Sequence, residues 1–300
     1  FQGLRDLRLR NWQPLPIRAD EIDAVVLTHA HIDHIGYLPR LCRDGFRGPI
    51  HCTNATADLA EIMLLDSARL QEEEAAYAAR KGYSKHNPPE PLYRTEDVKR
   101  LLPMLHGYKF DTDANVMPNV KIRFRYSGHI LGAASVEMTL TGDAQSKKIV
   151  FSGDLGRYDN PVLYDPAAVD GADVLVVEST YGNKENPVDD PEDAIAEIVN
   201  ETVARGGCVV IPAFAVGRAQ GILHYLQLLE KQRKIPVLPV YLDSPMAVTV
   251  ADLYARHLDS HKLPLDRSDN DIFFLRDLNY VEKAADSKRL NDLKGRAIIV

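Results

Sequence analysis

Three apolar runs in the first 180 residues end in the same way. AVVL (24–27) leads into THAHIDH, KIVFS (148–152) into GD, and VLVVE (174–178) closes on a glutamate followed by Ser-Thr. Each run is short and rich in β-branched residues, so each reads as a strand with polar side chains at its C-terminal end. Strands laid side by side gather those ends at one edge of a sheet, where sites in sheet proteins commonly form. The chain is therefore expected to be a sheet-centred α/β protein.

The first strand end is the most crowded. His29, His31, Asp33 and His34 fall within six positions. His29 and His31 are two apart, so from an extended or tight-turn backbone both reach one metal. Asp33 and His34 are adjacent and point differently, which suits a second metal beside the first. This differs from HExxH, where helical spacing puts two histidines on one ion. Neutral imidazoles suit Zn²⁺, and a carboxylate suits a harder or bridging role. Four ligands do not close two sites, so further donors are expected from elsewhere. His129, in the glycine-flanked SGHILGAAS, and Asp154, in IVFSGDLG, are the candidates, with Glu178 a third. Alone, these would read as a turn histidine, a turn former and a cap or ion-pair partner. Beside HxHxDH they become candidates for the same centre. His51, His86, His106, His224, His257 and His261 have no partners in sequence and read as structural.

KIRFRY (121–126) and SVEMTL (135–140) alternate, which predicts one buried and one wet face, whereas the continuous VLVVE run predicts a strand covered on both faces. Residues 54 to about 80 read as a long amphipathic helix with its EEE run in solvent. Asn87-Pro-Pro-Glu-Pro reads as a loop, and Thr95 as the N-cap of a short helix before Pro103. NPVDDPEDA, from Asn186, is a plausible crossover into a second unit. Beyond it, helical PEDAIAEIVNETVARGG, CVVIPAF, RAQGILHYLQLLEKQRK, PVYLDS and MAVTVADLYARHL alternate with the βαβ rhythm of a parallel sheet.

Composition narrows the functional classes. An apolar fraction of 45% and a charged fraction of 26% are those of a globular chain. A net charge of −7 argues against coating nucleic acid by bulk charge, while permitting a local basic groove. Arg5, Arg8 and Arg10, and Lys121, Arg123 and Arg125, read as ordinary surface charge. Cys42, Cys52 and Cys208 are unclustered and read as buried thiols of a reducing, cytoplasmic compartment. The longest apolar stretch, CVVIPAFAV, is too short to span a bilayer. The chain opens at FQGLRDLRLR without methionine and stops at GRAIIV, which reads as a strand beginning, so both ends are expected to continue.

THAHIDHIGYLPRL, SGHILGAAS, SGDLGR and VVESTYGN resemble successive motifs of the metallo-β-lactamase superfamily, in its β-CASP ribonuclease branch. VIPAFAVGRAQGILHYL and PVYLDSPMA resemble the inserted β-CASP domain. The resemblance implies an αββα sandwich over 1–186 and an α/β, parallel-sheet β-CASP domain over 187–300, both incomplete. It implies a di-zinc ribonuclease: His29, His31 and His129 on one Zn²⁺, Asp33 and His34 on the other, and Asp154 bridging. A hydroxide shared by the two metals would attack phosphorus, with catalytic roles for Asp33, Asp154 and Glu178, the last orienting a histidine partner. It further implies an aspartate before Phe1 and two histidines after Val300. Single-stranded RNA is the implied substrate, with Arg218 in AVGRAQ and Ser244 in the SPM turn as contacts. Neither an RRM nor a KH signature is present, so base-specific reading is not expected. No membrane association is expected, and a homodimer is left open. HxHxDH also occurs in other hydrolases of this fold. A DNA nuclease, a glyoxalase II-like thioesterase and a non-catalytic RNA-processing subunit are therefore the alternatives.

Overall fold

The computed structural model describes residues 5–83, 88–142, 145–185, 190–264 and 272–300. The first part of the expected crossover, residues 186–189, and Asn87 of the expected loop lie outside the described residues, as do His86 and the side chains of Arg5 and Arg8. The chain divides into two units, Phe1–Tyr158 with Asp165–Glu178, and Asp159–Tyr164 with Ser179–Val300.

In the first unit, strand β1 (Val25–Val26) leads through the histidine cluster into α1 (Ile32–Ile35) and α2 (Leu38–Arg43). Then follow β2 (Ile50–Thr53), α3 (Asn54–Lys81), α4 (Thr95–Leu101) and β3 (Leu105–Tyr108). Strands β1, β2 and β3 form a parallel sheet in that order. Helix α3 begins where it does because Thr53 accepts a hydrogen bond from the Thr56 N–H, and it ends at Gly82 in the left-handed region, an ordinary glycine stop. Thr95 is the first residue of α4 and not its cap. The Asp97 carboxylate accepts from the Arg94 N–H and fixes the start one residue earlier than expected.

The second sheet of this unit comprises β4 (Asp113–Met117), β5 (Val120–Tyr126), β6 (Ala134–Thr141), β7 (Ser146–Phe151) and β8 (Val174–Val176), in that order. The first four are antiparallel neighbours, and β8 joins β7 in parallel. Val26 and Tyr108 of the parallel sheet pack against Ile122, Phe124, Ala134 and Val136 of this one, so the sheets meet face to face over an apolar core.

Two strand expectations need correction. The first half of β6, Ala134–Glu137, is buried on both faces. Its outward-facing polar groups are satisfied internally, Ser135 donating to the Ser152 carbonyl (2.9 Å) and Glu137 lying 3.4 Å from Lys148. Conversely, β8 is not covered. Val174, Leu175, Val176 and Val177 are 49–61% exposed, because β8 is the edge of its sheet and a continuous apolar run cannot by itself specify a covering layer.

The second unit holds α5 (Pro191–Ala204), β9 (Cys208–Val210), α6 (Arg218–Lys231), β10 (Val240–Leu242), α7 (Pro245–Arg256), β11 (Leu278–Tyr280), α8 (Ala284–Leu290) and β12 (Ala297–Ile299). Its strands form an all-parallel sheet in the order β11-β10-β12-β9, as the alternating rhythm predicted. Cys42 and Cys52 are buried free thiols, whereas Cys208 is half-buried. Among the described residues, no helix is long and apolar enough to cross a membrane.

Candidate metal centre

The parallel strand β1 ends at Val26, and three residues later His29 is fully buried. His31 immediately precedes α1, which carries Asp33 and His34 in its single turn. His129 arrives from the β5–β6 loop, Asp154 from just beyond β7, and Glu178 from just beyond β8. Gly153 lets Asp154 approach. It has φ +58°, and a Cβ there would lie 2.7 Å from the Thr28 Cβ.

These strand ends converge. His129 Nε2 lies 3.0 Å from His31 Nδ1, and the His29 ring centroid is 3.9 Å from that of His34 and 5.0 Å from those of His31 and His129. Asp154 is central. Its Oδ2 is 3.7 Å from His29 Nε2 and 3.4 Å from His129 Nε2, while its Oδ1 is 3.4 Å from His34 Nε2. Donor atoms of His29, His31, His129 and Asp154 all lie within 4.8 Å of one another, close enough to share one ion. Asp33 and His34 stand outside that four-residue group, yet Asp33 Oδ2 is 3.6 Å from His34 Nε2. The cluster thus has two sides joined by one carboxylate.

The donor chemistry fits a metal. His29 Nδ1 is 3.1 Å from the Thr28 hydroxyl, whereas its buried Nε2 has no hydrogen-bond partner. A buried imidazole nitrogen without a partner is costly unless something outside the protein accepts its lone pair. Burial, reinforced by the neighbouring histidines, pushes the His29 pKa down to about 2, so it presents a neutral ring. Burial likewise lowers His31 and His129.

Several residues that hold this centre were not legible in sequence. Thr53 and Thr56 both donate to the Gly132 carbonyl (2.7 and 2.9 Å), tethering the His129 loop to the first turn of α3. The Gly156 N–H donates to the Ser127 carbonyl (2.7 Å) from the other side. The Ser152 hydroxyl accepts from the Glu178 N–H (3.0 Å), and Glu178 Oε1 accepts from the Leu155 N–H at 3.3 Å. Glu178 therefore braces the residue after Asp154. TNAT carries a helix-cap signal, but its contact to a loop more than 70 residues on is a matter of topology. Replacing both Thr53 and Thr56 by valine is expected to cost about 3 kcal/mol, roughly 1 kcal/mol for each hydroxyl bond to the buried carbonyl and about 1 for the lost N-cap of α3. Urea unfolding would measure it, and a loss no larger than that of the cap alone would refute the tether.

In the second unit, Arg218 opens α6 after Gly217 (φ +83°), and its side chain is exposed. Ser244 caps α7, its Oγ accepting from the Ala247 N–H. Buried Gln220 joins the two helix starts. It accepts from the Gly217 N–H and donates to the Ala215 and Ala247 carbonyls (2.7, 3.0 and 3.3 Å).

Stacked sheets with imidazoles and a carboxylate gathered at the strand ends define an α/β protein with a candidate metal centre. The Beta-lactamase superfamily domain model matches residues 1–237, and the Beta-Casp domain model matches 219–300. The chain belongs to the metallo-β-lactamase superfamily, in its β-CASP family. Ribonuclease TTHA0252 of Thermus thermophilus is 34% identical over all of this chain and 64% of its own length. The transcription termination factors FttA of Methanosarcina mazei and Thermococcus kodakarensis are 36% and 32% identical, over 79% and 80% of this chain and 36% of each relative. The chain thus spans from about a third to under two thirds of these relatives. Among solved structures, a protein of unknown function from Enterococcus faecalis V583 overlays with a TM-score of 0.47 at 14% identity, covering 92% of this chain and 58% of that one.

Proposed function

We propose that this chain is part of a zinc-dependent ribonuclease that hydrolyses phosphodiester bonds of single-stranded RNA in processing or decay. The convergence of three imidazoles on Asp154, with His31 beside them and the buried His29 Nε2 left without a protein partner, carries the reading. Similarity to a ribonuclease and to transcription termination factors supports RNA as substrate. On this reading residues 1–186 supply the metal-binding domain and 187–300 the β-CASP domain.

His29, His31 and His129 would hold one Zn²⁺, Asp33 and His34 a second, and Asp154 would reach both. When bound, such ions supply Lewis acidity toward phosphoryl oxygens and a water that ionises near neutral pH. The protein's own contribution is positioning. The two Asp154 oxygens face different histidines, which suits a carboxylate shared between two sites. Thr28 fixes the ring of His29 through Nδ1, leaving Nε2 as the donor. Glu178 steadies the backbone beside Asp154 and acts as a positioning residue. Arg218 and Ser244 are the proposed backbone contacts, supported by the exposed guanidinium and a hydroxyl at helix starts.

Matched end-labelled single-stranded RNA and DNA test the proposal directly. RNA is expected to shorten in the presence of zinc, to survive with chelator, and to shorten again on zinc addition. DNA cut at the same rate would overturn the RNA preference. Rapid hydrolysis of glutathione thioesters with RNA left intact would move the assignment to a thioesterase. RNA bound but uncut with two equivalents of zinc would point to a non-catalytic subunit.

A further inference from the structure

Between α2 and α4 lies a cavity of about 310 Å³, lined by Cys42, Arg43, Arg47, Asp97, Arg100 and Met104. Its volume is at the lower end of the range of small-ligand sites. Three guanidinium groups and one carboxylate line it. The Asp97 carboxylate is already engaged, accepting from the Arg94 N–H at 2.9 Å and lying 3.8 Å from Arg100 Nη1. Arg47 is held by backbone alone, its Nη1 donating to the Cys42 and Phe46 carbonyls at 2.7 and 2.6 Å. That anchoring fixes the fork and neutralises none of its charge. Arg43 reaches only the Leu92 carbonyl, at 3.5 Å. Among the described residues, neither Arg43 nor Arg47 makes an ion pair. Arginines that merely solvate a surface pair with carboxylates or extend into water. All three are exposed here, the Arg100 side chain 76% so, but Arg47 is folded back on backbone carbonyls, and two positive charges are left unbalanced where the three line one cavity.

We propose that this cavity is a phosphate-binding site. Guanidinium forks match the geometry and charge of phosphoryl oxygens better than any other side chain does. The phosphoryl group could come from an RNA backbone or from a small phosphate ester. The proposal is independent of the catalytic reading, since no residue of the histidine cluster lines the cavity.

Calorimetric titration with inorganic phosphate, at ionic strength balanced with chloride, measures the site itself. Anisotropy of labelled single-stranded RNA in chelator, across a salt series, measures its use by RNA. The parent chain is compared with Arg43→Glu/Arg100→Glu and with a charge-matched control, Arg205→Glu/Lys231→Glu, in the second unit. Parent and control are expected to bind phosphate saturably, and the cavity variant at least about tenfold more weakly. If RNA is the source, the variant's slope of log affinity against log salt falls by about 1.4, two phosphate contacts at roughly 0.7 each. Weakened phosphate binding with RNA affinity equal to the control's supports a small phosphate ester as the source. No saturable phosphate binding by the parent, or equal binding by parent and cavity variant, overturns the proposal. Should the glutamate pair fail to fold, Arg43→Gln/Arg100→Gln carries the same comparison at smaller amplitude.

Discussion

On the proposed di-zinc ribonuclease reading, Asp154→Ala is expected to abolish RNA turnover, by about a thousandfold or more, and to reduce bound zinc from two equivalents to one or fewer. Among the described residues, Asp154 alone presents oxygens to both sides of the histidine cluster, Oδ2 toward His29 and His129 and Oδ1 toward His34. Removing a group that organises an electrostatic centre commonly costs hundreds- to thousandfold in rate. Its loss also leaves several neutral rings without the anion that would offset a doubly charged ion. Asp154→Asn keeps the shape and removes the charge, so it should retain more fold stability while losing nearly as much activity. Metal content after exhaustive dialysis and initial rates on end-labelled RNA decide the matter together. Turnover within a few-fold of the parent would sink the assignment of Asp154, and with it the shared-carboxylate arrangement.

Gly156→Ala should produce the largest loss of stability from a single methyl group. A Cβ at this position would stand 1.8 Å from the Gly128 carbonyl oxygen and 2.8 Å from the His129 amide nitrogen. These are backbone atoms, so no side-chain rotation relieves the clash. The Gly156 N–H also donates to the neighbouring Ser127 carbonyl at 2.7 Å, and separating the loops would break that bond. Overpacking of this kind costs about 1–3 kcal/mol, with a lost hydrogen bond adding roughly 1. For a domain of this size that corresponds to a fall in Tm of about 5–15 °C. Activity should fall too, because the displaced segment carries His129. Gly221→Ala is the control. It lies within α6 with nothing inside 4 Å of an added Cβ, and should be neutral or stabilise by about 0.5–1 kcal/mol. Equal melting of the Gly156 variant and the parent would show that the two loops have room to spare.

Much of this was readable before any coordinates, for a physical reason. THAHIDH packs four donor side chains into six residues, so its chemistry is local, and local chemistry survives without knowledge of the fold. The parallel sheet of the second unit was legible for the same reason, through the alternation of apolar strands with amphipathic helices. The nearness of His129 to His31 across 98 residues is tertiary, and was expected only from its glycine-flanked turn set beside HxHxDH and from the family resemblance. What escaped was decided by topology alone. VLVV looked buried because it is apolar throughout, but its place at the sheet edge governs what covers it. Thr53 and Thr56 looked like helix-cap residues, and their grip on the Gly132 carbonyl depends on how α3 meets the β5–β6 loop. Arg43, Arg47 and Arg100 are scattered through unremarkable segments, and only the packing of α2 against α4 makes them neighbours.

The uncovered strand β8 bears on how this chain behaves in concentrated solution. Among the described residues β8 pairs only with β7, so its outer N–H and C=O groups face any extended backbone that comes alongside. Four consecutive aliphatic side chains, each about half in water, make that edge adhesive as well as polar. Asp173 and Glu178 bracket it as charged gatekeepers, and the net charge of −7 keeps molecules apart over distances set by the ions between them. At physiological salt that range is only about 8 Å. Salt shortens that range, so the protection that net charge gives this edge weakens as ionic strength rises.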